Sequence, residues 1–416
     1  DIIPYNESSK LRSVAANKAN GKIILDLKPS TTAGKTTQAL SGDIQINGPG
    51  TLEVLAGRNL DLGTGENFTD GRGNGITSVG KARNPFLPFA GADIIAFAGV
   101  GGRSGGPALG LASSVMDFSK LPDTAPVTSE AGAIKSLVAF FDALKEAGVE
   151  FATSGTYDIG FEAVDLVFGD KDYNGEIFTR ARDIRTTSGG KITLGAPGGG
   201  LTLASTITGN PKVPPGIVTE YGGEISIFAN DSVDIGQARI FTLRGGDLTI
   251  WSTTGDIAAG TAPKTVVTAP PTRVLFDTTS ADVLTDLGGL ATGGGIGVLA
   301  SVKNVEEGNV ALIAPNGTVD AGDAGIRATG NIVIAAVRVL NADNISAGGS
   351  TIGVPSAPVV AAPNVSGLTS ASSSAAASTA SVDQVASKTS QQQQQQENTP
   401  SVISVEVLGY GGGEEE

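Results

Sequence analysis

The stretch Gly245-Gly-Asp-Leu-Thr-Ile-Trp-Ser-Thr-Thr-Gly-Asp-Ile-Ala-Ala-Gly260 decides the fold. Gly246-Asp-Leu and, nine residues later, Gly255-Asp-Ile each open a short segment in which apolar and polar residues alternate. That is the pattern of a strand with one buried side. The neighbouring sequence repeats the design. Gly223-Glu-Ile-Ser-Ile227 precedes Gly246-Asp-Leu-Thr-Ile250 by 23 residues, and Asn309-Val-Ala-Leu-Ile-Ala314 precedes Asn331-Ile-Val-Ile-Ala-Ala336 by 22. Strands of the same form stand at Gly42-Asp-Ile-Gln-Ile46, Thr51-Leu-Glu-Val-Leu55, Lys191-Ile-Thr-Leu194 and Leu201-Thr-Leu203. Short strands, Gly/Asn corners and a period near 22 predict the coils of a parallel β-helix. Coils stack about 4.8 Å apart and bury a continuous column of Ile, Leu, Val and Ala. An antiparallel sandwich also places a strand every 8–12 residues or so, but here the similarity returns at two strands' distance.

Working outward, two segments interrupt the coils. Within 107–182, Ile134, Leu137, Val138, Phe141 and Leu144 share one face at helical spacing, with Ser129 as N-cap and Gly148 as the glycine past the C-terminus. This predicts an amphipathic helix of roughly 16 residues lying on the flank of the β-helix. The segment from Ala262 to Gly289 holds Pro263, Pro270 and Pro271 and reads as a loop projecting from a corner. The N-terminal stretch Ser9 to Asn20 reads as a short helix. The expected organisation is therefore N-terminal coils over 1–106, a helical insertion over 107–182, and further coils over 183–354. A linker over 355–400 follows, then a strand and acidic tail over 401–416. The linker is rich in Ser, Ala, Thr and Val and carries polyglutamine at Gln391 to Gln396, a composition that cannot bury enough apolar surface to fold alone. The terminal strand, Val402-Ile403-Ser-Val405-Glu-Val407-Leu408, has no sheet of its own and must add to an exposed edge.

Composition narrows the chemistry. The 416 residues contain no His and no Cys, which excludes Ser-His-Asp triads, Cys-His pairs, disulfides and thiolate metal sites. Lys and Arg number 28 against 42 Asp and Glu, a net charge of −14, which argues against nucleic acid and anionic membranes as partners. No apolar run approaches the roughly 20 residues of a membrane helix. The start, Asp1-Ile-Ile-Pro-Tyr-Asn6, lacks a basic region followed by an apolar core, so no signal peptide is expected there. The chain reads as a trimmed part of a longer precursor.

Two constellations could carry chemistry. Asp170-Lys-Asp172-Tyr-Asn174-Gly175-Glu176-Ile177 matches the first eight positions of a calcium loop, with Asp170, Asp172, Asn174 and Glu176 as the candidate ligands. Ala181 stands where a bidentate acid would close the loop, and the same residues also suit a polar turn. Asp183 with Arg185, or Asp320 with Asp323, are the nearest candidates for glycosidic cleavage, which needs two carboxyls at a set separation. Scattered Asp at corners otherwise serves turns.

Gly245 to Gly260, the stretch Ala314-Pro-Asn-Gly-Thr-Val-Asp-Ala-Gly-Asp-Ala-Gly-Ile326, and Leu340-Asn-Ala-Asp-Asn-Ile345 together resemble the filamentous-haemagglutinin family of two-partner-secretion exoproteins, in the C-terminal part of its long members. The resemblance covers roughly residues 20–350. It implies a right-handed β-helical surface fibre, exported through an outer-membrane partner, located outside the cell or at the bacterial surface, and used in adhesion or biofilm. No catalytic residues carry over from such members. The functional expectation is a non-enzymatic adhesive module that contacts a surface polysaccharide or host-cell ligand. The alternatives are a filament subunit that self-associates through β-helix ends and the strand Val402–Leu408, and a polysaccharide-cleaving β-helix.

Overall fold

The computed structural model describes residues 12–19, 22–29, 44–63, 73–81, 86–100, 121, 130–169, 173–203, 214–262, 273–276, 283–286, 293–300 and 305–355. From residue 44 onward they build a three-faced parallel β-helix. Face 1 stacks Thr51–Leu55, Asp93–Phe97, Ile192–Ala196, Ile225–Ala229, Leu248–Ser252, the first half of Val310–Asp320, the first half of Ile332–Leu340, and Thr351–Ile352. Face 2 stacks Leu60–Asp61, Ile177–Arg180, Leu201–Leu203, Val233–Asp234, Ile257–Ala258 and the second halves of the two long strands. Face 3 stacks Ile44–Ile46, Gly73–Ser78, Arg182–Thr186, Gly216–Thr219, Arg239–Thr242, Gly295–Val298, Ile326–Ala328 and Ile345–Ala347. The chain visits face 3, then 1, then 2 in each coil up to Ile332–Leu340, and the last described coil shows faces 3 and 1. The offsets of 23 and 22 are the register itself: Ile225 pairs with Leu248 and Val310 with Ile332.

The interior is a set of aliphatic columns, and one of them is isoleucine throughout. On face 3, Ile44, Ile76, Ile184, Ile217, Ile240, Ile296, Ile326 and Ile345 stand in one line. All but Ile44 and Ile345, at the two ends, are buried. A fully buried isoleucine is worth about 1.5–3 kcal/mol relative to exposure. β-Branched residues suit the role because their restricted χ1 matches the pleated surface.

Between faces 1 and 2 of the second coil the chain leaves for two helices, α1 (Glu130–Ser154) and α2 (Asp158–Phe168). They cover the outside of face 1. Its outward residues Leu55, Phe97, Gly195, Phe228, Trp251, Ile313 and Ala335 lie in one register line. All of them but Leu55 and Gly195 are core members of a second apolar cluster with Leu137, Phe140, Leu144, Ala147 and Phe168. Phe140 meets Phe228 edge-on at 5.3 Å, Lys145 pairs with Asp247, and Gly148 lies against Ile313. From Phe140 to Gly148 the helix advances about 12 Å, some two and a half coils at about 4.8 Å each. α1 therefore runs along the stack.

Several expectations are corrected. Gly148 is inside α1, not past its end. A Cβ at Gly148 would sit 3.0 Å from Ile313 Cγ1, so this glycine serves close approach to the sheet. The helix ends at Gly155, whose φ of 77° is the left-handed conformation of a C-terminal glycine. The buried face centres on Phe140, and Val138 is exposed; Ser129 lies outside the described residues. The coil resumes at Ile177 rather than after residue 182, because Ile177 pairs with both Leu60 and Leu201. Of the stretch Ser9 to Asn20, the described part is a strand and not a helix: Arg12–Ala19 pairs antiparallel with Lys22–Pro29, Ala19 opposite Lys22. The sequence between the two strands, Asn20-Gly21, is a dipeptide that two-residue hairpin loops favour. The proline-bearing interruption contains a second antiparallel pair, Arg273–Phe276 with Val283–Asp286.

Candidate functional site

The corners account for the Gly, Asp, Asn and Thr of the repeat. At the entry to face 1, Asp247 Oδ1 accepts the Asn309 backbone N–H (2.9 Å) and its side-chain N–H (3.1 Å). Asn309 Oδ1 accepts the Asn331 N–H (2.9 Å), and Asn331 Oδ1 accepts the Ser350 N–H (2.8 Å). Each side chain reaches one coil along the stack and satisfies a backbone donor. At the exit from face 1, Ser232 Oγ accepts the Asp256 N–H and Asp256 Oδ1 accepts the Thr318 N–H. At the end of face 2, Asp61, Asp234 and Asp320 accept N–H bonds from Gly63, Gly236 and Gly322, two residues on. At the end of face 3, the hydroxyls of Thr186, Thr219 and Thr242 donate to the carbonyls of Gly190, Gly223 and Gly246.

Two of these carboxylates also hold cations. Burial alone would raise the Asp247 carboxyl, but bonds from Lys145 and Asn309 outweigh it and hold the group below its ordinary value. Burial also acts to raise Asp61, and again loses. The bidentate Arg180 guanidinium, at 2.6 Å to each oxygen, and the Gly63 N–H keep it ionised to lower pH.

Of the residues named for glycosidic cleavage, Asp183, Arg185 and Asp320 are engaged in structural bonds. Asp183 and Arg185 are buried; Asp183 accepts the Gly216 N–H (2.8 Å) and pairs with Arg185 (3.2 Å), which also holds Glu220 at 2.7 Å. Burial opposes the Arg185 charge, yet the two carboxylates prevail and its pKa moves up. Asp320 is engaged by Gly322 and by the Asn341 amide, and Asp323 is exposed. A carboxylate held by a guanidinium or by backbone donors is poorly placed to carry a proton to a leaving group.

Of the calcium-loop residues, Asp170 and Asp172 lie outside the described residues; Asn174 and Glu176 are exposed. Gly175 is buried, and a Cβ there would sit 2.4 Å from the Arg58 carbonyl oxygen. That glycine is thus required by coil stacking. The Glu176 backbone bonds to Asn59 and Leu60 of the coil before. Among the described residues, no group of three or more His, Cys, Asp or Glu is placed to hold a metal. Val402, Ile403, Val405, Val407 and Leu408 also lie outside the described residues.

The three faces differ in what they offer a partner. Face 1 is under the helices. On face 3 the outward Arg185, Val218 and Phe241 are buried. Face 2 presents Asp61, Phe178, Thr202, Asp234, Ala258 and Asp320 in one outward line, none of them buried. At its corner with face 1, beneath the last turn of α2, is a cleft of about 510 Å³. Phe168 and Phe228, stacked 5.0 Å apart with planes at 6°, form its inner wall. Phe161, Tyr173, Asp165 and Asn230 also line it. Sequence reasoning missed this cleft, since Tyr173 and Asn230 meet only through the stacking of distant coils.

Neither the curated proteins nor the solved structures include one that matches this chain. Residues 245–356 match the family model described as a filamentous haemagglutinin family outer membrane protein. That segment runs from the corner before Leu248–Ser252 to the last described coil. Over its C-terminal coils, then, this chain carries the sequence pattern of the filamentous haemagglutinin family.

Proposed function

We propose that this chain is a non-enzymatic adhesive module of an exported filamentous-haemagglutinin-like protein, presented at the bacterial surface and attaching to matrix or to another cell. The family match over residues 245–356 carries this reading. The bonding of the acids supports it: Asp183 is spent on a buried ion pair and Asp320 on a coil corner, and the outward line of face 2 stays uncovered. Export through an outer-membrane partner goes with the same reading. The test is attachment. Beads coated with the purified chain should bind biofilm matrix or cells saturably, and free chain should compete. Binding no greater than that of beads coated with an unrelated acidic protein would overturn it.

A second reading, self-association, is favoured by one observation. At the C-terminal end of the stack Val337, Leu340 and Ile352 are exposed, at 66%, 43% and 39%. Beyond Val333, the strand Ile332–Leu340 has no described strand stacked on its outer side. An open strand edge with apolar residues recruits another strand, and Val402–Leu408 of a second copy has the alternation to fill it. Sedimentation of the full chain against a chain lacking 401–416 tests this; assembly unchanged by the deletion would refute strand donation.

A further inference from the structure

We propose that the cleft between α2 and the face 1–face 2 corner binds a neutral or N-acetylated sugar unit of an oligosaccharide. This rests on the adhesive reading above and supplies it with a ligand class and an address.

The cleft's volume, about 510 Å³, lies within the roughly 300–1,000 Å³ of small-molecule sites, which combine apolar walls with a few placed polar groups. Here the apolar wall is aromatic. Phe161 and Tyr173 are half-buried, and both rings are held edge-on by others: Phe161 by Trp251 at 5.8 Å, Tyr173 by Phe168 at 5.3 Å. Fixed rings with negative faces suit the slightly positive C–H face of a pyranose.

The polar groups are Asp165 and Asn230. Among the described residues neither side chain makes a hydrogen bond, unlike the corner Asp and Asn side chains at 247, 309 and 331, which bond the next coil. Asn230 occupies a corner, is partly exposed, and has its backbone N–H bonded to Ala196 and Gly199, so its backbone is held in place while its amide is unspent. A carboxylate supplies acceptors, and an amide both donors and an acceptor. Together they offer the donors and acceptors that sugar hydroxyls take up. Asp165 is exposed and Asn230 partly so; a purely apolar ligand that covered them would strip their water and offer no partner, at a cost. An anionic sugar would face Asp165 and a chain of net charge −14. Gly198 keeps the corner tight against the Tyr173 backbone, where a Cβ would sit 2.1 Å from its carbonyl carbon.

The experiment is saturation-transfer NMR and calorimetric titration of the full chain with chitotriose and with cellotriose, repeated on Asn230→Ala and Asp165→Asn. Neither substitution removes an intramolecular bond, and the emission of Trp251, the single tryptophan, verifies the fold. The expected result is saturable binding of at least one trisaccharide, with transfer to the sugar ring protons, weakened at least tenfold in each variant. Absence of saturable binding of both probes, or equal binding in wild type and variants, overturns the proposal. Bead attachment is measured on the same proteins. Attachment that persists while the cleft binds no sugar sinks the cleft alone; loss of attachment by the wild type sinks the adhesive reading.

Discussion

Gly160 is the position at which helix propensity and packing make opposite demands. It lies in α2, where alanine would be the better helix former by about 0.8–1 kcal/mol. A Cβ there, however, would meet Trp251 Cη2 at 2.4 Å, Cζ3 at 2.6 Å and the Ala147 Cβ at 2.8 Å. Trp251 is fully buried, its Nε1 donates to Thr253 at 3.1 Å, and Phe161 packs on it edge-on, so the ring cannot yield cheaply. Restoring ordinary contact requires α2 to lift by about 1 Å, which belongs in the upper part of the 1–3 kcal/mol range for overpacking. The balance for Gly160→Ala is a net loss of about 1–2 kcal/mol, or roughly 5–30-fold in the docking equilibrium. Gly148→Ala is the matched comparison. Its added Cβ meets Ile313 Cγ1 at 3.0 Å, a movable aliphatic group, so strain of about 1 kcal/mol and the propensity gain nearly cancel. The assay is urea unfolding followed by Trp251 fluorescence, which reports helix docking, beside far-ultraviolet circular dichroism for the whole fold. Gly160→Ala should lower the fluorescence midpoint clearly, and Gly148→Ala should leave it close to wild type. If Gly160→Ala raises the midpoint, α2 does not press on Trp251 and the packing of the helix pair on face 1 is wrong.

Asn309→Ala removes the acceptor for the Asn331 N–H and one donor to Asp247. It should cost about 1–2 kcal/mol and speed hydrogen exchange at the Asn331 amide far more than at Ile225; unchanged protection of Asn331 would refute the ladder. The acid limb of stability follows from Asp61 and Asp247. Their carboxyls titrate below the ordinary 3.8 in the folded chain, so the unfolded chain binds protons first as pH falls. The stabilisation is complete above the unfolded-state value and is lost as pH drops through the folded-state one. Asp247→Asn should therefore lower stability at neutral pH and flatten its decline below about pH 4, as read by thermal melts across pH; parallel curves for the two proteins would contradict the assignment.

The coil period was legible because a stacked coil uses equivalent residues at equivalent places. Gly246-Asp-Leu aligned with Gly223-Glu-Ile, and Asn309 with Asn331, are neighbours in the register and, for the asparagines, bonded. Local rules failed where tertiary contact decides. Gly148 carries the sequence mark of a helix stop, yet it is there for a strand, Val310–Asp320, that begins more than a hundred residues later. The N-terminal hairpin was readable from Asn20-Gly21 but yielded to the run of helix-compatible residues before it. Gly160 offered no cue at all, since its reason is the ring of Trp251. The cleft was illegible for the same cause: Asp165, Tyr173 and Asn230 share no period, and their meeting depends on where the insertion re-enters the coils.

The helical insertion changes how this solenoid holds together. In a stack of coils each unit contacts its neighbours alone, and stability is close to a sum of local terms. Here α1 and α2 lie over Phe97, Phe228, Trp251, Ile313 and Ala335, outward residues of five different coils, and bury all of them in one cluster. Coils that do not touch are thereby coupled through a shared apolar layer, so that fraying at one coil of this stretch must also disturb the helices. The coupling has a consequence for placement of function. Face 1 is committed to this clamp, and the outward residues of face 3 in the central coils are committed to buried ion pairs and aromatic contacts. Among the described residues, face 2, the cleft at its corner and the edge of the last described coil are what these elements leave uncovered. Of these the cleft is the place where rings, a carboxylate and an unspent amide converge on one volume. It is also braced by the clamp, because Phe168 and Phe228 on its inner wall belong to the same cluster that ties the coils together.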